Sequence, residues 1–569
     1  MANEKDDKIR LLEELISVLK SQLADRESTI REQNILVAEL RSTVANLQGI
    51  VANLNETIDE FRRKFFGKSS EKTSTAGDDE EEETGECITV RSHSRKPRSP
   101  KSKREDLYGN LPVNEVKCDI PEDQRICPDC DAVMEHLGYK FVREELVIIP
   151  AKVFRVRYMQ ETLFCPVCRS EDDTTIKAAV VPKGLLPHSP VSASILAELI
   201  YQKSVLHVPF YRQEPIWKEK GCPIPRGTMA SWYNECTQRY ITPLYELLHQ
   251  HLKERGVLHV DETTCQVLHE EGRKATSKSY MWIYTSGTDG LPPIAMYDYR
   301  QGRGHEHPEN FLEGFKGIIQ CDGYSAYGCI EDVMLACCLA HCRRKFFEAV
   351  PAARRKKLRL LDINSDLAIP EPDMEVLKDP EVLPAEKGVV YCNRLFFLER
   401  QYKEMTPEER KARRLETETP IWEAFWKWLD TINPAGGSKL ETAVNYAENH
   451  HDSLMNYLKD GRCEISNNAA ERRAKTYATA RKNFLFHDTV EGAQASAMML
   501  SIIETAKLNS LNVYQYLYML FLYMPDYKEE PAGVEQLLPW SDFIKQHCSG
   551  LTDTETITST NKPALEIKK

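Results

Sequence analysis

The chain has 569 residues, with 75 Lys or Arg against 87 Asp or Glu, and a formal net charge of -12. This length is too great for one hydrophobic core, so several units are expected. The charge excludes a uniformly basic nucleic-acid binder, although DNA contact requires only a local positive stripe. The 17 cysteines, without a secretory segment or bilayer-long apolar run, predict a reducing cytoplasm and no membrane.

The first 68 residues carry a heptad repeat. Every a position from Ile9 to Phe65 is apolar, and the d positions are Leu or Phe except for Arg26 and Gln33. Mostly β-branched a residues with Leu at d favour a parallel two-stranded coiled coil, and the two polar d residues disfavour other registers. The repeat predicts a dimer. An amphipathic helix packed on the chain's own body is the alternative.

Two segments of opposite charge follow. Residues 78–83 are all acidic, whereas residues 91–104 contain seven Lys or Arg and no acid. Pro97, Pro100 and the neighbouring serines predict a flexible linker. The basic segment is either a solvated spacer or an arm that contacts DNA.

Four cysteines form two Cys-x-x-Cys pairs. Cys127 and Cys130 make the first pair, and Cys165 and Cys168 make the second. This spacing lets two thiolates of each pair bind one tetrahedral ion, so the four predict a structural Zn²⁺ site. A closed site of this kind has no open position for a substrate, which assigns it to structure and DNA docking. A redox pair or coincidental spacing is the alternative.

A helical region is predicted next. A helix over residues 211–218 leads to Gly221, and a second helix follows with Thr228 as its expected N-cap. This order is typical of a helix-turn-helix motif, although an ordinary helical hairpin has the same pattern. In the first case the residues that face a DNA groove are Arg226, Ser231 and Asn234.

Short apolar runs then predict five strands, at residues 256–260, 280–284, 293–297, 317–321 and 335–339. Turn signals between the first three predict an antiparallel meander, and a helix is expected near residues 310–315. Asp261 ends the first strand and Asp322 ends the fourth. Glu262 adjoins Asp261, but strand residues alternate faces, so only one of the two should face the site. We expect it to be Asp261, because an Asp at a strand end, with further acids downstream, suits a metal site.

A third acid lies far along the chain. Residues 347–461 predict a helical subdomain, whose aromatic residues are expected to form its core rather than stack on bases. A capped helix beginning near Ser466 then carries Glu471. The basic residues of this helix that are available to phosphates are Arg472, Arg473, Arg481 and Lys482.

The predicted order is three strands, a helix, a strand, a helix, a strand and a helix with the third acid, which is that of the ribonuclease H-like fold. Asp261, Asp322 and Glu471 would there hold two Mg²⁺ ions about 4 Å apart, which assist an in-line displacement at phosphorus. Each acid alone is also an ordinary turn or cap residue. Their combination predicts the site.

Several motifs together carry a family resemblance. They lie at residues 260–263, 321–324, 341–347, 466–472 and 481–486, with further similarity at 503–509 and 537–540. In these motifs the chain resembles bacterial transposases of the Insertion Sequence 66 family, from about residue 95 to residue 540. The resemblance implies a DDE transposase whose catalytic acids are Asp261, Asp322 and Glu471, and it also implies a zinc-binding module.

The expected protein is therefore multidomain α+β. Its predicted regions are a coiled coil (1–68), a linker (69–110), a zinc module (111–185), a helical DNA-binding segment (186–254), a ribonuclease H-like core of mixed sheet and helices (255–350 and 462–512), an α-helical insertion (351–461), and a C-terminal helix with a disordered tail (513–569).

The resemblance implies cleavage of DNA at the ends of an insertion sequence and transfer of the freed strand, with Mg²⁺ or Mn²⁺. The expected partners are double-stranded DNA, at element ends and target, a second copy of the chain or a higher oligomer, and accessory proteins of the same element. The expected location is the bacterial cytoplasm, at the nucleoid. Two alternatives remain: a metal-dependent nuclease of the same fold that does not join strands, and an inactive transposase-derived DNA-binding protein.

Overall fold

The computed structural model describes residue 20 and residues 152–164, 176–352, 354–355, 371–552 and 556–565. The heptad repeat apart from Lys20, the charged linker and the four predicted zinc ligands lie outside these residues. The described residues fall into two compact units, one of residues 245–510 and one of residues 152–244 and 511–565. Within the described parts of the chain, no helix has the length and apolar character needed to cross a membrane.

The strands are β1 (Thr162–Phe164), β2 (Ile176–Ala178), β3 (Val257–Cys265), β4 (Val267–His269), β5 (Ser279–Ser286), β6 (Ala295–Arg300), β7 (Gly317–Cys321), β8 (Val333–Cys337) and β9 (His487–Thr489). The helices are α1 (Ala193–Ile200), α2 (Phe210–Glu219), α3 (Arg226–Cys236), α4 (Thr242–Lys253), α5 (Glu306–Phe311), α6 (Leu339–Ala349), α7 (Pro384–Gln401), α8 (Pro407–Thr417), α9 (Thr419–Leu429), α10 (Lys439–Asn449), α11 (His451–Met455), α12 (Asn468–Phe484), α13 (Val490–Leu508), α14 (Val513–Tyr527), α15 (Pro531–Glu535) and α16 (Asp542–Cys548).

The unit of residues 152–244 and 511–565 is mainly helical. Leu199 of α1, Trp217 of α2 and Met229 of α3 share one buried cluster. Helix α14, most of whose residues are buried, packs on α1, and the ring of Tyr514 meets that of Tyr201 edge-on at 5.8 Å. The predicted helical character of this region is confirmed.

The predicted pair of helices is present, but its second helix begins earlier than expected. Gly221 makes the turn after α2 with a φ of 74°, a conformation that glycine adopts without strain. Pro225, rather than Thr228, occupies the N-cap of α3 with a φ of -62°. Proline lacks the N–H that a helix start would leave unpaired, and its fixed φ suits this position, so the helix begins at Arg226.

The unit of residues 245–510 is built on a five-stranded sheet with the order β6-β5-β3-β7-β8. Strands β3, β5 and β6 are antiparallel, which confirms the predicted meander, while β3, β7 and β8 are parallel. Strand β3 is longer than expected. It leaves its parallel neighbour after His259 but remains paired with β5 as far as Cys265, so Asp261 lies inside the strand instead of at its end.

The two faces of the sheet pack against different elements because side chains alternate along each strand. Met281 and Ile283 of β5 face helices α12 and α13 and share a buried cluster with Tyr477 of α12. Trp282 and Tyr284 face the opposite side, where Tyr284 stacks on Phe311 of α5 with ring centroids 4.0 Å apart. This alternation decides which strand side chains can reach α12.

The described residues 371–467, between α6 and α12, are mostly helical, and their aromatic side chains pack on one another. The ring of Trp422 meets that of Phe425 at 5.6 Å, and Phe425 meets Tyr391 of α7 at 5.5 Å. Both Trp422 and Phe425 are only 1% exposed. The expectation that such residues form a core is confirmed for these two.

Candidate active site

Two of the three predicted acids lie side by side at one edge of the sheet. In the parallel pairing of β3 with β7, His259 lies opposite Gln320. Two residues further along each segment stand Asp261 and Asp322, which are close enough for the charge of Asp322 to raise the pKa of Asp261. Parallel strands carry equivalent positions to the same edge, so these two carboxylates converge although 61 positions separate them in the sequence.

A tight turn holds Asp322 immediately after β7. Its Oδ1 accepts a hydrogen bond from the backbone N–H of Tyr324 at 3.0 Å, and its carbonyl accepts one from the hydroxyl of Tyr446 at 2.7 Å. Gly323 has a φ of 91°, and a Cβ there would lie 2.8 Å from the ring of His450. Glycine is therefore required by both the turn and the close approach of His450.

The adjacent acids Asp261 and Glu262 point to opposite faces of the sheet. Asp261 is paired with Ile283, whose side chain lies on the α12 face, whereas Glu262 is paired with Trp282 on the other face. There Glu262 accepts hydrogen bonds from the hydroxyl of Tyr327 at 2.6 Å and from Nε of Arg303 at 2.8 Å. Glu262 is thus held by its own partners, and Asp261 is the acid that faces α12.

Glu471 lies in the first turn of α12, and Asn467 positions the start of that helix. Asn467 is completely buried; its Nδ2 donates to the carbonyl of Val260 at 2.7 Å, and its Oδ1 lies 3.1 Å from Nδ1 of His259. Its backbone N–H also donates to Sγ of Cys338, just beyond β8, at 3.1 Å. The side chain of Asn467 therefore joins α12 to β3 instead of capping the helix.

Asp261 and Glu471 both line a cavity of ≈ 280 Å³. The other residues that line it are Glu262, Thr263, His341, Ala474, Lys475 and Ala478. The pKa of Asp261 is raised to about 8, chiefly by burial and also by the negative charges of Glu262, Asp322 and Glu471, against a backbone hydrogen bond that lowers it. A bound cation would oppose this shift, because an opposite charge stabilises the ionised carboxylate.

The raised pKa of Asp261 predicts that the metal-free protein loses stability as the pH rises. Its folded-state pKa of about 8 lies above the usual aspartate value of 3.8, so the contribution is present below pH 4 and is lost between pH 4 and 8. The loss amounts to at most about 1.4 kcal/mol for each pH unit. Urea denaturation in EDTA at pH 5 and at pH 8 measures it. An equal loss of stability between pH 5 and pH 8 in the Asp261→Asn variant would contradict the assignment of this pH dependence to Asp261.

The donor atoms at this edge suit a divalent cation. Among the described residues, Oε1 of Glu471 and Nδ1 of His341 are buried without a hydrogen-bond partner and lie 3.8 Å apart. Such unpaired buried polar atoms are unfavourable unless a ligand or ion satisfies them. Carboxylate oxygens are the ligands that Mg²⁺ and Mn²⁺ prefer. The carboxylates of Asp261 and Glu471, which line this cavity, are of the type that such ions bind.

The basic residues predicted on α12 divide into two groups. Arg473 donates to Oε2 of the buried Glu504 of α13 at 2.5 Å, and Arg481 donates to Oγ1 of Thr264 at 2.6 Å. Both therefore hold the helix against its neighbours. Three basic side chains of α12 are instead exposed, namely those of Arg472, Lys475 and Lys482. Nζ of Lys475 lies 3.9 Å from Oε2 of Glu471.

The three residues predicted to face a DNA groove lie on α3, in the other unit. Arg226 and Ser231 are exposed, and Asn234 is partly buried. Oγ of Ser231 donates to the carbonyl of Gly227 at 3.0 Å, and the backbone N–H of Arg226 donates to Glu214 at 3.3 Å. The guanidinium of Arg226 is on the surface of the helix and is accessible to a ligand.

Sequence reasoning did not assign His341 or Asn467 to the site. Both stand next to predicted elements: His341 follows the fifth strand at the start of α6, and Asn467 directly precedes α12. A polar residue at the junction of two elements was the only sign in the sequence that either residue belongs to the site. The partners of His341 and Asn467 lie on other elements, so the local sequence does not reveal them.

The fold and the site together define a mixed α+β protein with a candidate acidic metal site at a sheet edge. Residues 188–495 match the family described as "Transposase IS66 family", and the chain belongs to that family, as its motifs predicted. Three further matches cover residues 53–116 ("Transposase C of IS166 homeodomain"), 124–169 ("zinc-finger binding domain of transposase IS66") and 501–540 ("IS66 C-terminal element"). These matches support a transposase with DNA-binding modules.

Curated relatives of the chain are found in Sinorhizobium fredii (strain NBRC 101917 / NGR234). The uncharacterized protein y4hP is 27% identical over 510 residues, which cover 85% of this chain and 87% of the relative. The uncharacterized protein y4jD is 26% identical over 450 residues, which cover 76% of this chain and 81% of the relative. The similarity thus extends over most of each chain, while the relatives' names state no activity.

Proposed function

We propose that this protein is a DDE transposase that cleaves DNA at the ends of an insertion sequence and transfers the freed strand to a target. The observation that carries the proposal is the convergence of Asp261, Asp322 and Glu471 from β3, β7 and α12 at one edge of the sheet. The family membership supports it.

The proposal includes a ribonuclease H-like core. Its support is the strand order β6-β5-β3-β7-β8, with three antiparallel strands followed by two parallel ones, and with one acid inside β3 and another directly after its neighbour β7. In this interpretation the helices α7 to α11 are an insertion that separates the second acid from the third.

The chain's own groups have distinct roles in the proposed reaction. Asp261, Asp322 and Glu471 would hold Mg²⁺ or Mn²⁺, which would activate the attacking oxygen and stabilise charge on the leaving oxygen. Asp261 would do so as a carboxylate, its proton passing to solvent, since that is the form that binds a cation. The exposed Arg472, Lys475 and Lys482 attract the phosphates of the DNA strand to this edge. Cleavage and joining use the same three acids.

An assay with DNA that contains the element ends, in Mg²⁺, tests the proposal. A transposase produces both a cleaved strand with a free 3′-hydroxyl and a product joined to target DNA. A nuclease of the same fold produces the cleaved strand alone. A DNA-binding protein without activity retards the DNA in a gel but leaves it intact. Either of the last two outcomes would overturn the proposal.

We also propose that α3 recognises the element ends through Arg226, Ser231 and Asn234. Arg226→Ala is expected to weaken binding to end DNA about 5- to 150-fold, since a base-contacting arginine contributes roughly 1–3 kcal/mol. Arg239→Ala is the matched control, because Arg239 pairs with Glu235 on an exposed helix surface. Fluorescence anisotropy at one fixed salt concentration measures both. Equal affinities of the two variants would favour an ordinary helical hairpin.

The amino-terminal modules complete the proposal. The match to a zinc-finger family at residues 124–169 contains Cys127, Cys130, Cys165 and Cys168, which we assign as ligands of a structural Zn²⁺. The heptad repeat is assigned to dimerisation, which would supply one active site for each of two element ends. The expected setting remains the bacterial nucleoid, with accessory proteins of the same element.

A further inference from the structure

An imidazole lies inside the acidic site, and none of the predicted roles uses it. His341 stands in the first turn of α6, directly after β8, and lines the cavity together with Asp261 and Glu471. Its side chain is 21% exposed, and that of Glu471 is 16% exposed. His341 therefore reaches the same cavity as Asp261 and Glu471.

The facing atoms of His341 and Glu471 are both unsatisfied. Nδ1 of His341 and Oε1 of Glu471 are buried without a hydrogen-bond partner among the described residues, and their separation of 3.8 Å is too long for a hydrogen bond. Two ligand atoms that each bind one ion at ~2.1 Å lie ~3.0 Å from each other in adjacent positions and ~4.2 Å from each other in opposite positions. The observed separation falls within that range.

A third donor lies close by but is already used. Sγ of Cys338 lies within 4.8 Å of the ligand atoms of His341 and Glu471, yet it accepts the backbone N–H of Asn467 at 3.1 Å. Nζ of Lys475 lies 3.9 Å from Oε2, the other carboxylate oxygen of Glu471. The pair formed by His341 Nδ1 and Glu471 Oε1 is thus the unoccupied set of donors at this end of the cavity.

We propose that His341 is a metal ligand, and that its Nδ1 shares with Glu471 one divalent cation of the acidic site. The inference rests on the proposed function, because it adds a nitrogen ligand to the site formed by the three acids. An imidazole in a pocket of carboxylates would also fix the position of Glu471, since both side chains would be bound to one ion.

The test uses the full-length, tag-free protein and Mn²⁺ alone, without DNA. Electron spin echo spectroscopy of the Mn²⁺-loaded protein is expected to show coupling to a nitrogen nucleus, because the imidazole is bound directly. His341→Asn is expected to abolish this coupling and to weaken Mn²⁺ binding at least about 10-fold in a calorimetric titration, as loss of a supporting group alone has an effect of that order. His249→Asn is the matched control, since its ring is partly buried and bonds the carbonyl of Phe311 at 2.7 Å.

The outcomes separate this inference from the proposed function. Wild-type protein that cleaves and joins DNA but shows no nitrogen coupling overturns the inference alone. Nitrogen coupling that disappears in His341→Asn, in a protein that neither cleaves nor joins DNA, supports the metal ligand and overturns the transposase. Equal loss of Mn²⁺ affinity in His341→Asn and His249→Asn would show a general effect on folding and would also overturn the inference.

Discussion

Replacing Asp322 by Asn is expected to lower the rates of strand cleavage and strand transfer together, by about 10³-fold or more. A catalytic metal contributes several kcal/mol of transition-state stabilisation, and each 1.36 kcal/mol corresponds to a factor of ten in rate. The turn should survive the change, because the side-chain carbonyl of Asn can accept the same hydrogen bond from Tyr324. The loss would therefore reflect a missing carboxylate and not a misfolded turn.

Asp332→Asn is the matched control for this substitution. Asp332 lies in the turn before β8, and its exposed carboxylate pairs only at the surface with Lys316, at 2.9 Å. The control should retain wild-type rates, and both variants should bind end DNA as the wild-type protein does in a mobility assay. Wild-type cleavage and joining by Asp322→Asn would remove Asp322 from the proposed site.

Replacing Arg414 by Ala is expected to destabilise the unit of residues 245–510 by about 3–5 kcal/mol, as loss of one partner from a buried ion pair does. The side chain of Arg414 is 0% exposed and forms two hydrogen bonds of 2.7 Å with the carboxylate of Glu399. It also donates to the carbonyls of Tyr457, Asp460 and Cys463. The variant would leave a buried carboxylate and three carbonyls without these partners.

The midpoint of urea unfolding, followed by tryptophan fluorescence, measures this effect, because Trp422 lies close by: its indole N–H bonds Tyr457, whose carbonyl Arg414 also binds. Arg413→Ala is the control, since its guanidinium is 53% exposed and pairs with Glu416 at the surface. Such pairs contribute about 0–1 kcal/mol. Equal midpoints for the two variants would show that Arg414 does not stabilise the fold.

The buried Arg414 also connects the helical segment to the site. The three carbonyls that it binds belong to the chain just before α12, which carries Glu471. The helices α7 to α11 thereby help to fix where α12 begins. If the protein is a transposase as proposed, an Arg414→Ala variant that remains folded at low temperature is expected to lose strand transfer as well, because the position of Glu471 is no longer held.

Much of the core was predictable from local patterns. The antiparallel meander, the apolar strand before Asp322 and the helix that carries Glu471 all follow from alternation, turn residues and helix-forming composition. The bounds were less accurate: the helix expected near residues 310–315 is α5, which ends at Phe311. Strand β3 extends to Cys265 because it gains pairing from β5, which the sequence near Asp261 does not reveal.

The sequence by itself determined which elements form, where the acids lie on them and to which family the chain belongs. Only the tertiary structure decided that Tyr327 and Arg303 hold Glu262 on the other face of the sheet, and that Arg473 binds the buried Glu504 instead of being free for DNA. It also placed His341 beside Glu471. The physical reason is range: periodicity and caps are set by neighbours within a few residues, whereas Asn467 bonds Val260 across 207 positions. Such contacts exist only once the sheet and its helices have packed.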